Sequence, residues 1–382
     1  LRSGISPERM TLGDLVYALN VRIDESARLA RRPGRATLLS APTHSLWGDD
    51  VVTLAVVNGE LVRLANDYSM TPMAPVLGQV SYARLDRRVF WSDGLATGVV
   101  DLNINANRSW GLAVPEAFNV APVPGHLNAG TYQYAVTYQR NDGQESGARA
   151  SHVIELEQDA GLQFTVAPSV DTTVGMAHLY LSTPGGTTLY RALSVVPANG
   201  ARTYTGDGSD LRVPLRTQFL DPPPPTRVLA SHGGRIWVAV EDFLLASEPF
   251  SPELFDARKD IPCEGTVTML APLESGAGMF VGTTSGCWFL TGMNPDEATL
   301  VPRGADPVLP GAITSVPGKL FGDGSLDGQT VPVWAGATGL YAGMPDGSMR
   351  SLTLERTRLS LTGRAAMGYD PDLKTLLLST TE

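Results

Sequence analysis

Apolar and polar residues alternate along this chain in short, strand-length runs, and each run ends in a turn signal. The clearest case is Val51-Val52-Thr53-Leu54-Ala55-Val56-Val57, then Asn58-Gly59, then Leu61-Val62-Arg63-Leu64. Asn-Gly between two such runs is the strongest short-range hairpin signal, because both residues accept positive φ. The same unit returns as Arg88-Val89-Phe90-Trp91, Asp93-Gly94, Gly98-Val99-Val100, and again around Glu241-Asp242, Ser285-Gly286 and Thr338-Gly339. A shortened copy, Thr375-Leu376-Leu377-Leu378-Ser379, comes last. Helical periodicity is confined to two short stretches, 10–18 and 252–258.

Repeats of roughly 40–50 residues with several strands each are the mark of β-propeller blades, which bury their faces only by stacking in a ring. The pattern predicts an all-β chain with a propeller of about six blades. The shortened last copy predicts that a strand from the N-terminal region completes its sheet.

Residues 115–225 have a different texture. Gly130-Thr131-Tyr132-Gln133-Tyr134-Ala135-Val136-Thr137-Tyr138-Gln139 alternates strictly, so that Tyr132, Tyr134, Val136 and Tyr138 share one face. A hairpin follows at Ala177–Arg191 around Pro184-Gly185-Gly186, and the segment closes on the stiff run Asp221-Pro222-Pro223-Pro224-Pro225. About 100 residues of alternating strands is the size of an immunoglobulin or fibronectin type III-like sandwich. The predicted organisation is therefore an N-terminal docking arm (1–36), propeller blades (37–114), an inserted sandwich (115–225) and further blades (226–382).

Composition narrows the function classes. Gly (40) and Pro (28) are spread along all 382 residues, as many tight turns require. The net charge of −10 argues against tight DNA binding through phosphate neutralisation, though not against a protein that surrounds DNA without gripping it. Two cysteines, Cys263 and Cys287, are too few for a disulfide framework and read as buried, reduced side chains. No apolar run approaches the ~20 residues that span a bilayer, so no membrane span is expected.

Catalytic and metal motifs are not found. The five histidines (His44, His126, His152, His178, His232) lack metal-ligand spacing. Asp323-Gly324-Ser325-Leu326-Asp327-Gly328 opens like a calcium loop, but Trp334 stands where the bidentate acid belongs. No G-x-S-x-G and no P-loop occurs. The carboxylates Asp49, Asp50, Asp93, Glu241 and Asp242 sit mostly at hairpin turns, where conformation alone accounts for them. No catalytic, cofactor or metal residue is assigned, and the expectation is a non-enzyme. The one marked charge cluster is basic: Arg28, Arg31, Arg32 and Arg35, read either as a docking surface or as a solvated loop.

Three stretches carry a family resemblance. Asp14-Leu15-Val16-Tyr17-Ala18-Leu19-Asn20-Val21-Arg22-Ile23-Asp24, followed by Arg28-Leu29-Ala30-Arg31-Arg32-Pro33-Gly34, resembles the opening of phage tail nozzle proteins, the tail tubular protein B-like family of short-tailed phages. Ser26-Ala27 stands where a glycine turn is more usual. The segment Gly130–Ser146 and the exit Asp221–Pro225 with His232-Gly233-Gly234-Arg235-Ile236-Trp237 resemble the inserted sandwich of that family and its return to the blades. The resemblance implies a structural virion protein of the tail, made in the host cytoplasm. It implies a homo-hexameric ring that meets the adaptor and portal, carries fibres or spikes nearby, closes the channel and conducts duplex DNA during ejection. The arginine cluster would then face a neighbouring subunit or the adaptor. The alternative is a secreted or surface carbohydrate-binding, adhesive propeller. That reading needs aromatic pockets built from Trp91, Trp237, Trp288 and Trp334, which lie inside apolar strands and read as core.

Overall fold

In the computed structural model, the described residues are 21–23, 29–31, 37–149, 151–197, 200–353 and 359–381. They form 32 β-strands and two short 3-10 turns, and the chain is all-β. A first hairpin, β1 (Val21–Ile23) and β2 (Leu29–Arg31), stands as a sheet of its own. Sheet 1 is a meander of β3 (Thr43–Gly48), β4 (Thr53–Val57), β5 (Glu60–Leu64) and β6 (Met70–Pro75). Sheet 2 repeats it with β7 (Ser81–Leu85), β8 (Arg88–Ser92), β9 (Thr97–Asp101) and β10 (Ala106–Arg108). The Asn58-Gly59 turn between β4 and β5 has φ of 53° and 78°, the two positive values that a tight hairpin turn of this hand demands.

Between sheets 2 and 3 the chain builds a separate two-sheet unit. Its strands are β11 (Phe118–Leu127), β12 (Gly130–Arg140), β13 (His152–Leu156), β14 (Ala160–Val166), β15 (Val174–Leu181), β16 (Tyr190–Val195) and β17 (Arg202–Tyr204). One sheet has the order β11-β14-β17 and the other β13-β12-β15-β16. Phe118, Val120, Phe164 and Val166 of the first pack on Val136, Tyr138, Ala177 and Leu179 of the second. The predicted apolar face of β12 is thus core. Its opposite face is covered as well: Ala135 and Tyr180 pack under Ala148, Leu189 and Leu215, strapping segments that the alternation does not reveal.

The meanders then resume. Sheet 3 contains β18 (Val228–His232), β19 (Arg235–Val240), β20 (Phe243–Glu248), β21 (Ser251–Phe255) and the short β22 (Ile261–Pro262). Residues 252–258, expected to turn into a helix, instead fall on β21 and the turn after it; Leu254 and Phe255 are buried, so the sheet claims them. Sheet 4 is β23 (Val267–Pro272), β24 (Gly278–Thr283), β25 (Gly286–Thr291) and β26 (Thr299–Gly304). Sheet 5 is β27 (Val308–Pro317), β28 (Thr330–Gly336), β29 (Leu340–Gly343) and β30 (Met349–Ser351). Sheet 6 has two strands only, β31 (Arg364–Asp370) and β32 (Thr375–Thr381). The other helical expectation, residues 10–18, lies outside the described residues.

The sheets stack face to face in chain order. Leu54, Val56 and Leu61 of sheet 1 meet Val89, Trp91 and Val100 of sheet 2. Phe90 and Val99 on the other face of sheet 2 meet Ile236, Val238 and Leu245 of sheet 3. Trp237 and Leu244 pack on Met279, Val281 and Leu290 of sheet 4. Phe280 and Phe289 pack on Trp334 and Tyr341 of sheet 5, and Val331 and Val333 on Met367, Tyr369 and Leu376 of sheet 6. Central strands that are apolar on both faces follow directly, since each is buried twice. From sheet 2 onward the first strands β7, β18, β23, β27 and β31 lie side by side, which puts them on the inside of the stack.

The two-sheet unit is fastened to this stack at one junction. Trp110 lies between sheets 2 and 3, tilted against Phe90 and edge-on to Phe255, and its Nε1 donates to the Pro252 carbonyl at 2.7 Å. Two residues on, Leu112 is already in the core of the two-sheet unit. Gly111 between them has φ 83°, and a Cβ there would press on the Glu253 carbonyl oxygen. Buried Arg140 closes the junction, donating to the carbonyls of Ser109 and Gly111 and to the Asp171 carboxylate at 2.8 Å. Burial works against an ionised Asp171, but hydrogen bonds from Ser109, Thr173 and Arg140 outweigh it and hold the carboxyl well below its usual range.

Two outcomes follow from this packing. Trp334→Ala, at a side chain with no exposed surface, should cost about 3–5 kcal/mol in urea unfolding followed by circular dichroism. Phe250→Ser, at a side chain 98% exposed, should change stability by less than about 0.5 kcal/mol. Burial lowers the pKa of His178, with Arg191 acting the same way and Glu145 opposing. The unfolded chain therefore takes up this proton first as pH falls below the ordinary histidine value near 6.5, and stability drops there. His178→Gln should flatten part of the decline in unfolding midpoint between about pH 7 and pH 5.5.

Candidate functional site

The feature most suited to a role is the end of the stack where each sheet's first strand turns back into its second. Contacts bring these turns to one side. Arg84, at the end of β7, reaches Asp49 and Asp50 in the turn after β3. Ser81 and Leu229, at the starts of β7 and β18, are joined by a 3.2 Å hydrogen bond, so those strands start together. Glu274, after β23, accepts from the Thr330 amide at 2.7 Å and its hydroxyl at 2.9 Å. A cavity of about 300 Å³ opens here, walled by His232, Gly233, Leu273, Glu274 and Thr330.

This end is acidic. The first turns carry Asp49, Asp50, Asp86, Glu274, Asp323, Asp327 and Asp372, all exposed, against Arg87, Lys319 and Lys374. At Asp49 burial opposes ionisation, but hydrogen bonds from Arg84 and from the amides of Val51 and Val52 lower the pKa. At Asp323 the amide and hydroxyl of Ser325 do the same. Asp49 and Asp323 therefore stay ionised through the neutral range. Asp323 thus serves as the cap of a 3-10 turn, the turn role that the broken calcium loop left for it.

The remaining sequence candidates separate cleanly. Asp93 is buried and accepts from the amides of Leu77, Leu95 and Ala96 at 2.7–2.9 Å, which makes it a turn fastener. Glu241 and Asp242 sit in the turn between β19 and β20, at the opposite end of sheet 3 from Gly233. Trp91, Trp237 and Trp334 are buried between sheets, whereas Trp288 is half-buried. Burial pushes the thiols of Cys263 and Cys287 up to about 12, far from a reactive range. Among the described residues no group of three or more His, Cys, Asp or Glu is placed to hold a metal ion. No helix there is long and apolar enough to cross a membrane.

Of the arginine cluster, Arg28, Arg32 and Arg35 lie outside the described residues; Arg31 ends β2 opposite Val21, and its side chain also lies outside them. Which acids share this end is not legible in the sequence. The acids are spaced by whole sheets along the chain, and only stacking gathers them.

No protein-family model matches the sequence, and no curated protein is recognisably similar to it. Solved structures overlap it loosely. The β-propeller domain of Swd1 from Myceliophteria thermophila shares 11% identity over 91% of this chain and 98% of that one, with a TM-score of 0.35. A chain of the mitotic checkpoint complex shares 9% over 92% and 96%, with a TM-score of 0.32. PorZ, a surface component of the type-IX secretion system of Porphyromonas gingivalis, shares 10% over 88% and 62%, with a TM-score of 0.26. Likenesses this distant carry nothing about activity or partner.

The acidic end has a measurable consequence. The wild-type chain should not retain duplex DNA at about 0.15 M salt, where the screening length is still about 8 Å. The variant Asp49→Lys, Asp50→Lys, Asp323→Lys, Asp327→Lys, Asp372→Lys should bind it in a gel-shift assay, with affinity falling steeply as salt rises.

Proposed function

We propose that this chain is a structural subunit of a short bacteriophage tail, the nozzle that closes the channel during packaging and conducts duplex DNA at ejection. In this reading sheets 1–6 are the blades of a six-bladed propeller, and the two-sheet unit at 115–225 is an inserted immunoglobulin or fibronectin type III-like sandwich. Six copies form a ring beneath the adaptor and portal, with fibres or spikes nearby. The chain performs no reaction.

The observation that carries the reading is the acidic end of the stack. Phosphate is repelled by fixed carboxylates, so a duplex passing such a surface is neither trapped nor slowed by counterion release. The nozzle-like opening at residues 14–34 and the two-sheet unit fastened through Trp110 and Arg140 support it further. The carbohydrate-binding alternative needs accessible aromatic pockets; Trp91, Trp237 and Trp334 are spent on packing between sheets.

The arginine cluster supplies the test. Light scattering of the purified chain should give a mass of about six protomers, as closed rings of like subunits do. Replacing Arg28, Arg31, Arg32 and Arg35 with Ala should shift the distribution towards smaller species while leaving the circular dichroism spectrum unchanged. A monomer for the wild-type chain at every concentration would defeat the proposal.

A further inference from the structure

In a four-stranded meander the first and third turns fall at the same end, so the outer turns of the sheets share the acidic end. Contacts agree. A Cβ on Gly233, in the β18–β19 turn, would press on the Met293 side chain in the β25–β26 turn, and His232 Nε2 lies 3.3 Å from the Gly292 carbonyl oxygen. Neighbouring outer turns also touch. Arg63, near the end of β5, donates to the Asn105 side chain in the β9–β10 turn, and Lys259 lies 3.6 Å from Glu248 and 3.4 Å from Asp296. The outer turns of sheets 1 to 4 each present one large apolar side chain to solvent: Tyr68, Ile104, Phe250 and Met293, all more than half exposed. Two of them are held there at a cost. Tyr68 and Phe250 have φ of 65° and 59°, where glycine or asparagine is at ease and a bulky residue is strained. Phe250 ends a two-residue turn between the paired Glu248 and Ser251, with its ring in water. Such an aromatic adds nothing to packing within the chain. An arc of this kind is a surface for a partner.

We propose that the arc is the docking surface for the basic segment Arg28–Arg35 of a second copy of this chain. Charge selects that occupant. The outer turns carry Asp67, Glu248, Asp296, Glu297 and Asp346 against Arg63 and Lys259. The chain has a net charge of −10, and its one marked basic cluster is Arg28-Leu29-Ala30-Arg31-Arg32-Pro33-Gly34-Arg35. That segment offers four guanidinium groups with Leu29 and Ala30 among them. Guanidinium pairs with carboxylates and stacks on aromatic faces, so it suits both halves of the arc.

Symmetry asks for the same thing. A closed ring of more than two like subunits needs two different, complementary patches on every copy. The basic segment and the acidic, apolar arc are such a pair. The segment also leads into β3 at the end away from the acidic turns, where the Pro42 carbonyl accepts from the Asn58 amide. Each copy is therefore polar, as a head-to-tail contact requires. This inference rests on the proposal that copies of the chain form a ring, and it names the two surfaces that meet there.

Two charge-reversed full-length chains test it. One carries Arg28→Glu, Arg31→Glu, Arg32→Glu and Arg35→Glu; the other carries Asp67→Lys, Glu248→Lys and Asp296→Lys. Each alone should sediment as a single chain with an unchanged circular dichroism spectrum, because like charges meet at its own contact. An equimolar mixture should recover a mass of about six protomers, since each reversed patch then meets its complement on the other chain. A mixture that stays monomeric, or a ring formed by either reversed chain alone, overturns the docking and leaves the ring of the proposed function standing. A monomeric wild-type chain overturns both. A second variant tests the apolar half without changing charge. Tyr68→Ser combined with Phe250→Ser should weaken assembly about thirtyfold, as loss of central aromatic anchors does. Unchanged assembly would also overturn the docking.

Discussion

The whole structure depends on one constraint: a four-stranded meander has two apolar faces and can bury neither by itself. Each sheet is therefore stable only between two neighbours, and the order of stacking is the order of the chain. Trp237 packs between sheets 3 and 4, and Trp334 between sheets 4 and 5, each with no exposed surface. Removing one such side chain loosens two sheets at once, because a rigid core relaxes only in part around a lost ring. The ends of such a stack are the difficulty. Sheet 6 still exposes Leu377 on its far face, and a linear stack would leave that surface in water.

Stacking also creates the acidic surface. The turns after the innermost strands are separated by sheet-length stretches of sequence, yet they meet at one end. Acids at these positions satisfy local geometry first: Asp49 accepts the amides of Val51 and Val52, and Asp323 the amide and hydroxyl of Ser325. Their charge is then available collectively. In the proposed function, such a cluster of carboxylates would repel a polyanion rather than hold it.

The strands themselves were legible in the sequence, because alternation and Asn-Gly, Asp-Gly or Ser-Gly turns are local signals. The segment 252–258 misled, since Pro252-Glu253-Leu254-Phe255 has helix-like spacing, and only its burial against sheets 2 and 3 settles it as a strand. The second buried face of β12 was also invisible. Ala135 and Tyr180 are covered by chain from 148, 189 and 215, a long-range contact that no local pattern encodes. The junction was missed for the same reason: Trp110 looks like one more tryptophan until its nitrogen meets Pro252. Candidate acids could be named one by one from the sequence, but which of them share a surface depended on the stack.

The central claim is that these sheets close around a passage and that copies of the chain assemble on a common axis. Averaged electron micrographs of the purified full-length protein test it most directly. The account predicts a six-fold particle with a central opening lined on one side by the acidic turns. Single particles of one chain, with an open stack of sheets and no passage, would contradict it.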